Sequence, residues 1–121
     1  MKRTQAGFTM IELIVVIVIL GILAAVAMPK FVDVSTDAKN AAVAGVAGAL
    51  SSANAVNFAG RTVKSTYGVA IANCTDMANA LQGGLDPKFS ITAAAVALGT
   101  TATCSVTGNG VSANFTATGI N

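Results

Sequence analysis

The run from Phe8 to Met28, FTMIELIVVIVILGILAAVAM, constrains this chain more than any other stretch. It holds 21 residues, with Glu12 its only charge and Thr9 its only other polar side chain. As a helix rising 1.5 Å per residue it reaches about 30 Å, the hydrocarbon thickness of a bilayer, and it offers water no polar face. Lipid or other protein must therefore cover it. Lys2 and Arg3 precede the run, whereas Lys30, Asp33, Asp37 and Lys39 behind it cancel, so the positive-inside rule puts Met1 in the cytoplasm and the bulk of the chain outside.

A secretory signal peptide is the competing reading. Ala25-Val26-Ala27 has the A-x-A form of a cleavage site, and a cut there would release a soluble monomeric binding domain beginning at Met28. Glu12 stands against it, because a carboxylate inside an inserted segment costs about 2.5–3.5 kcal/mol and contributes nothing to simple export. The bland account of Glu12 is its place near a helix N-terminus, where the dipole and the headgroups favour an anion. The functional account is that it awaits a partner.

Composition narrows the rest. Only 10% of the 121 residues are charged, against about a quarter in soluble domains. A net charge of +2 is too small for phosphate-driven binding, so no nucleic-acid partner is expected. With no His, no Trp and two Cys, most hydrolytic triads and ordinary zinc sites lack their base or ligands, so neither an enzyme nor a cofactor or metal centre is expected. Asp33 and Asp37 lie one helical turn apart but bring no further ligands, as for solvated surface carboxylates.

The basic leader MKRTQAG, then FTMIEL, then an apolar run ending in AMPKF, resembles the N-terminus of a type IV prepilin. The likeness covers residues 1 to about 40 and combines a Gly before a Phe, a Glu five residues into the segment, an uncharged stretch and a Pro-containing exit. The continuation PKFVDVSTDAKNAAVAGVAGALSSA is most similar to the MSHA-type major pilin branch of type IVa pilins. The resemblance implies that a prepilin peptidase cuts between Gly7 and Phe8, that the new Phe8 amine is N-methylated, and that residues 1–7 are a leader. It also implies that Glu12 neutralises the Phe8 amine of a neighbouring subunit during assembly. A lone carboxylate and a lone amine are each costly in an apolar layer, so pairing them relieves both and selects register more than it adds stability. On this reading the +2 belongs to the leader, since losing Lys2 and Arg3 leaves the mature side chains neutral.

Beyond the apolar run the pattern stays helical. Phe31, Val34, Ala38, Ala42, Val46, Ala49 or Leu50, Ala53 and Val56 recur at three- and four-residue steps, predicting one helix from about Thr9 to about Phe58, ended by Gly60 and roughly 75 Å long. Residues 8–28 form its apolar half and 29–60 its amphipathic half. Gly21 and Pro29 are the weak points, because Pro29 donates no N–H to the carbonyl of Ala25 and glycine costs about 1 kcal/mol relative to Ala. A kink is the simple consequence. The resemblance implies more, a helix break between Gly21 and Pro29 within the filament. Rows of small residues, Ala41-Gly45-Ala49-Ala53 and Ala44-Gly48-Ser52, fit close helix packing, although Ala is also simply the best helix former.

Residues 61–121 read as one small head. In an exported chain Cys74 and Cys104 are most simply a disulfide, worth roughly 3–4 kcal/mol by chain entropy to a domain with little core. Ala102, Cys104 and Val106 alternate with polar residues, then Gly108-Asn109-Gly110, then Val111, Ala113, Phe115 and Ala117 alternate again, which spells a hairpin. Phe89–Ala93 begins as a third strand, and Thr75 or Asp76 to Gln82 reads as a short capped helix. Asn73-Cys74-Thr75 and Asn114-Phe115-Thr116 match the N-glycosylation pattern weakly.

The expected fold is α+β and type IV pilin-like, a long N-terminal helix packed on a small antiparallel sheet. The expected function is structural: a membrane prepilin, N-terminus cytoplasmic in the inner membrane, cleaved and polymerised by an external ATP-driven assembly machinery into a homopolymeric helical filament on the bacterial surface, serving adhesion or attachment. A minor pilin or a type II secretion pseudopilin would share every N-terminal feature.

Overall fold

The computed structural model describes residues 4–121, so Lys2 and Arg3, on which the expected orientation rests, lie outside the described residues. The elements run α1 (Met10–Val63), a 3-10 turn (Cys74–Asp76), α2 (Met77–Ala80), β1 (Phe89–Ile91), β2 (Thr101–Gly108) and β3 (Val111–Thr118). The chain falls into two compact units, one ending at Thr36 and one running Asp37–Asn121.

In the first unit the apolar part of α1 has no cover of its own. Ile11, Leu13, Ile17, Leu20, Leu23 and Met28 are each more than half exposed, although their spacing covers every side of the helix. Leu, Ile, Val and Ala are adequate helix formers, and Gly21 and Pro29 both lie within α1.

The second unit is the α+β body. Its sheet is antiparallel in the order β1-β2-β3. The hairpin expected from alternation is present, with Thr101 opposite Thr118, Cys104 opposite Phe115 and Gly108 opposite Val111. Its two-residue loop has both central residues at positive φ, Asn109 at 53° and Gly110 at 78°, the turn that matches the twist of paired strands. β1 joins the other edge of β2, with Phe89 opposite Gly108 and Ile91 opposite Val106. The expected third strand stops at Ile91 because the chain then turns toward the 3-10 segment: Cys74 N–H donates to the Ala94 carbonyl and Val96 N–H to that of Ala72.

The core takes Val43, Ala47 and Leu50 from α1, Ile71, Cys74 and Met77 from the connection, Val96 from the loop before β2, and Cys104, Val106, Phe115 and Ala117 from the hairpin. A disulfide joins Cys74 to Cys104 with their Cα atoms 5.8 Å apart. Cys104 reaches it because the odd–even alternation of β2 points it inward.

Three local expectations are corrected. The buried stripe of α1 is Val43, Ala47, Leu50, Asn54 and Asn57, rotated by about one residue from the most apolar reading, so Ala42, Ala49 and Val56 face outward. The physical reason is that α1 also terminates backbone polar groups. Thr116 N–H donates to Ser51 Oγ at 3.2 Å, Thr118 N–H to Asn54 Oδ1 at 2.7 Å, and Asn54 Nδ2 to Thr118 Oγ1 at 3.1 Å. These bonds close the outer edge of β3, which would otherwise present unpaired donors. One turn further, Asn57 clamps Val69, accepting its N–H at 2.7 Å and donating to its carbonyl at 2.9 Å. Second, α1 continues through Gly60 to Val63, and Arg61 in its last turn donates to the Tyr67 carbonyl of the following loop at 3.0 Å. Third, the segment expected as one capped helix is a 3-10 turn followed by a single α-turn, with Asn73 and Asp76 forming a capping box.

Candidate functional site

The site singled out in sequence is the entry into α1. Residues 4–9 have no regular structure and are exposed, and the helix begins at Met10. Phe8 is 94% exposed, and a side chain added at Gly7 would meet nothing within 4 Å among the described residues. The Gly7–Phe8 peptide therefore lies in exposed chain without regular structure, just ahead of the first helical residue.

What fixes the start of the helix is a residue pair. Thr9 N–H donates to Glu12 Oε2 at 2.9 Å, and Glu12 N–H donates to Thr9 Oγ1 at 3.3 Å. This reciprocal pair is a capping box, and the first helical bond, Leu13 N–H to the Thr9 carbonyl at 3.2 Å, follows directly. Thr9 is the functional residue that the charge-based reading missed. Its signal was present, since Thr9-Met10-Ile11-Glu12 is the T-x-x-E signature ahead of an apolar run. The box gives one oxygen of Glu12 a donor but does not neutralise its charge. Phe8, Ile11, Glu12, Leu13, Val15 and Val16 border one shallow, open concavity, so the exposed carboxylate has apolar side chains as well as Thr9 for neighbours.

The remaining sequence-marked residues lie elsewhere. Gly21 and Pro29 are inside α1, which runs without interruption in this subunit, and nothing packs on the Gly21 position. Cys74 and Cys104 meet in the core of the second unit. Asn73 is held by its own fold, its Oδ1 accepting from Thr75 N–H and Oγ1 and from Ala94 N–H, whereas Asn114 is exposed on β3. No group of three or more His, Cys, Asp or Glu gathers as a metal site among the described residues. α1 is the one described helix long and apolar enough to cross a membrane.

Comparison with known proteins points to the same segment. Residues 2–28 match the family described as Prokaryotic N-terminal methylation motif. The type IV narrow pilus major component PilA5 of Thermus thermophilus is 54% identical over 50 residues, 41% of this chain and 43% of that protein. Fimbrial protein Q of Moraxella bovis is 41% identical over 63 residues, 51% of this chain and 40% of that protein. The type IV major alpha-pilin of Moraxella bovis is 42% identical over 61 residues, 50% of this chain and 38% of that protein. The chain spans less than half the length of the curated relatives it matches. No solved structure matches it.

Proposed function

We propose that this chain is a type IV prepilin, a structural subunit of a type IV pilus and a major pilin rather than an enzyme, starting from the match of residues 2–28 to the prokaryotic N-terminal methylation motif. The observation that carries the reading is the coincidence of the methylation motif over residues 2–28 with the N-terminal part of α1, whose large apolar side chains from Ile11 to Met28 are exposed among the described residues. Such a surface is stable first in lipid and then against identical copies.

The sequence of events is insertion with Lys2 and Arg3 on the cytoplasmic side, cleavage by a prepilin peptidase between Gly7 and Phe8, methylation of the Phe8 amine, and transfer into a filament. Residues 1–7 are the leader and 8–28 the filament-core segment; the amphipathic part of the helix starts at 29 and continues to Val63, and the head follows. The transfer exchanges one apolar medium for another, so it gains little hydrophobic free energy. Packing and charge pairing must favour assembly, and an ATP-driven machinery outside this chain supplies extraction. Glu12 is the pairing group: its capping bond to Thr9 aims the carboxylate at the start of the helix, where a neighbour's Phe8 amine would neutralise it. In the filament the Gly21–Pro29 stretch partly unwinds, as the likeness to type IV pilins implies; it is the weak stretch of the helix because Pro29 leaves the Ala25 carbonyl without its helical donor. Placement in the MSHA-type branch and a role in adhesion or surface attachment belong to the same proposal.

N-terminal mass spectrometry on sheared surface fibres tests it. A mature chain beginning at methylated Phe8 and abundant in the fibre is the expected result. A soluble monomer beginning at Met28 would overturn the reading in favour of a secreted domain, and scarcity in the fibre would make the chain a minor pilin or pseudopilin. Glu12→Ala is expected to leave insertion intact and to abolish or strongly reduce filaments; abundant normal filaments would remove Glu12 from its role.

A further inference from the structure

The second unit carries a groove of about 420 Å³ between the end of α1 and the 67–82 connection, with Val56, Gly60, Tyr67, Val69 and Ala80 on its walls. It is mainly apolar and open, and Val56 and Tyr67 remain 74% and 56% exposed beside it. Two cations flank it. Lys64 Nζ lies 5.4 Å from the centre of the Tyr67 ring, and Arg61 bonds the Tyr67 carbonyl, while the Arg61 Nε is buried without a hydrogen-bond partner among the described residues. An occupant must therefore offer apolar anchors next to negative charge.

The chain has five acidic residues, and three are committed locally. Glu12 caps α1, Asp76 accepts from the N–H groups of Ala72 and Asn73, and Asp86 accepts from Lys88 N–H. The other two, Asp33 and Asp37, are exposed on α1 beside Phe31 and Val34, which are themselves 75% and 62% exposed. Phe31, Val34 and Asp37 follow one another at three-residue steps, successive turns on one side of a helix. Two apolar anchors and an acid in that spacing are what a helix lays into an apolar groove with a basic rim.

We infer that the groove receives the Phe31–Asp37 segment of a neighbouring copy, with Phe31 and Val34 against Val56 and Tyr67 and with Asp37 toward Lys64. The fit is heterologous, because groove and helix segment are different surfaces of one chain. Repetition of such a contact generates an open helical polymer instead of a closed dimer. The inference rests on the filament reading and adds the contact that sets how one subunit follows the next.

The test uses the full chain expressed with its own assembly machinery. Both native cysteines are already bonded to each other, so introduced thiols report alone. Oxidised fibres carrying Val34→Cys with Val56→Cys are expected to give a ladder of covalent multimers that neither single variant gives. Asp37→Lys or Lys64→Asp alone should lower sheared-fibre yield about two- to fivefold, and the two together should restore it. Fibres that contain the protein but show neither ladder nor rescue overturn the contact and leave the filament reading standing. A ladder obtained instead from Leu98→Cys with Val56→Cys would give the groove to another segment and overturn it equally. If the unmodified protein is absent from sheared fibres, the filament reading fails before the contact is at issue.

Discussion

Asn54→Leu measures how far the head depends on its helix closing the sheet. Asn54 is 7% exposed, and its amide makes two bonds to Thr118, accepting the N–H at 2.7 Å and donating to Oγ1 at 3.1 Å. Leucine keeps the number and branching of the side-chain heavy atoms, though it is bulkier, and removes both bonds. The Thr118 hydroxyl retains Thr101 Oγ1 at 2.9 Å, so the group left without a partner is the Thr118 N–H, at the buried end of β3. An unsatisfied buried donor costs about 1–3 kcal/mol, and loss of the second bond adds about 0.5–1.5 kcal/mol. Together these come to about 2–4 kcal/mol, a large share of the stability of a small domain. For a unit of this size the midpoint should fall by roughly 10–25 °C. The assay is urea and thermal unfolding of the Asp37–Asn121 unit with its disulfide intact, beside Asn79→Leu, whose side chain is exposed and makes no hydrogen bond among the described residues. A loss below about 0.5 kcal/mol, the range of ordinary surface substitutions, would refute the idea that the buried asparagine closes the β3 edge.

Three further perturbations separate neighbouring features of the same unit. Gly68→Ala should destabilise by more than about 1 kcal/mol, since Gly68 sits at φ +65° and a Cβ there would collide with the Asn57 amide that clamps Val69, whereas Gly60→Ala should stabilise by about 0.5–1 kcal/mol, because Gly60 is helical and its Cβ would meet only Tyr67 Cβ at 3.8 Å. Chemical denaturation of both variants checks the pair, and equal effects would contradict the contact geometry. Replacing Cys74 and Cys104 together by Ala should cost roughly 3–4 kcal/mol, read as a lower urea midpoint that reducing agent no longer moves, whereas the unmodified unit should lose the same amount on reduction.

Much of this protein is legible without coordinates where a property adds up residue by residue. The Phe8–Met28 segment is one such case: every side chain but two is apolar, so its need for lipid or protein cover follows whatever the rest of the chain does. The hairpin is another, because strict alternation on both sides of Asn109-Gly110 sets register and turn type together. The capping box was equally local, and reading Glu12 only as a charge passed over Thr9.

The orientation of α1 in the head was not of this kind. Apolar periodicity favours burying Ala42, Ala49 or Leu50, and Val56; of these only Leu50 is buried, and the helix turns Asn54 and Asn57 inward. Nothing near Asn54 in sequence asks for an amide. The demand comes from Thr118, 64 residues away, and from Val69, whose backbone groups need partners only once the strand edge and the connection lie against the helix. Local pattern therefore determined which elements form and which segment needs partners. The tertiary structure alone decided which face of the helix is spent on the head and which, carrying Val56 and its groove, is left open to others.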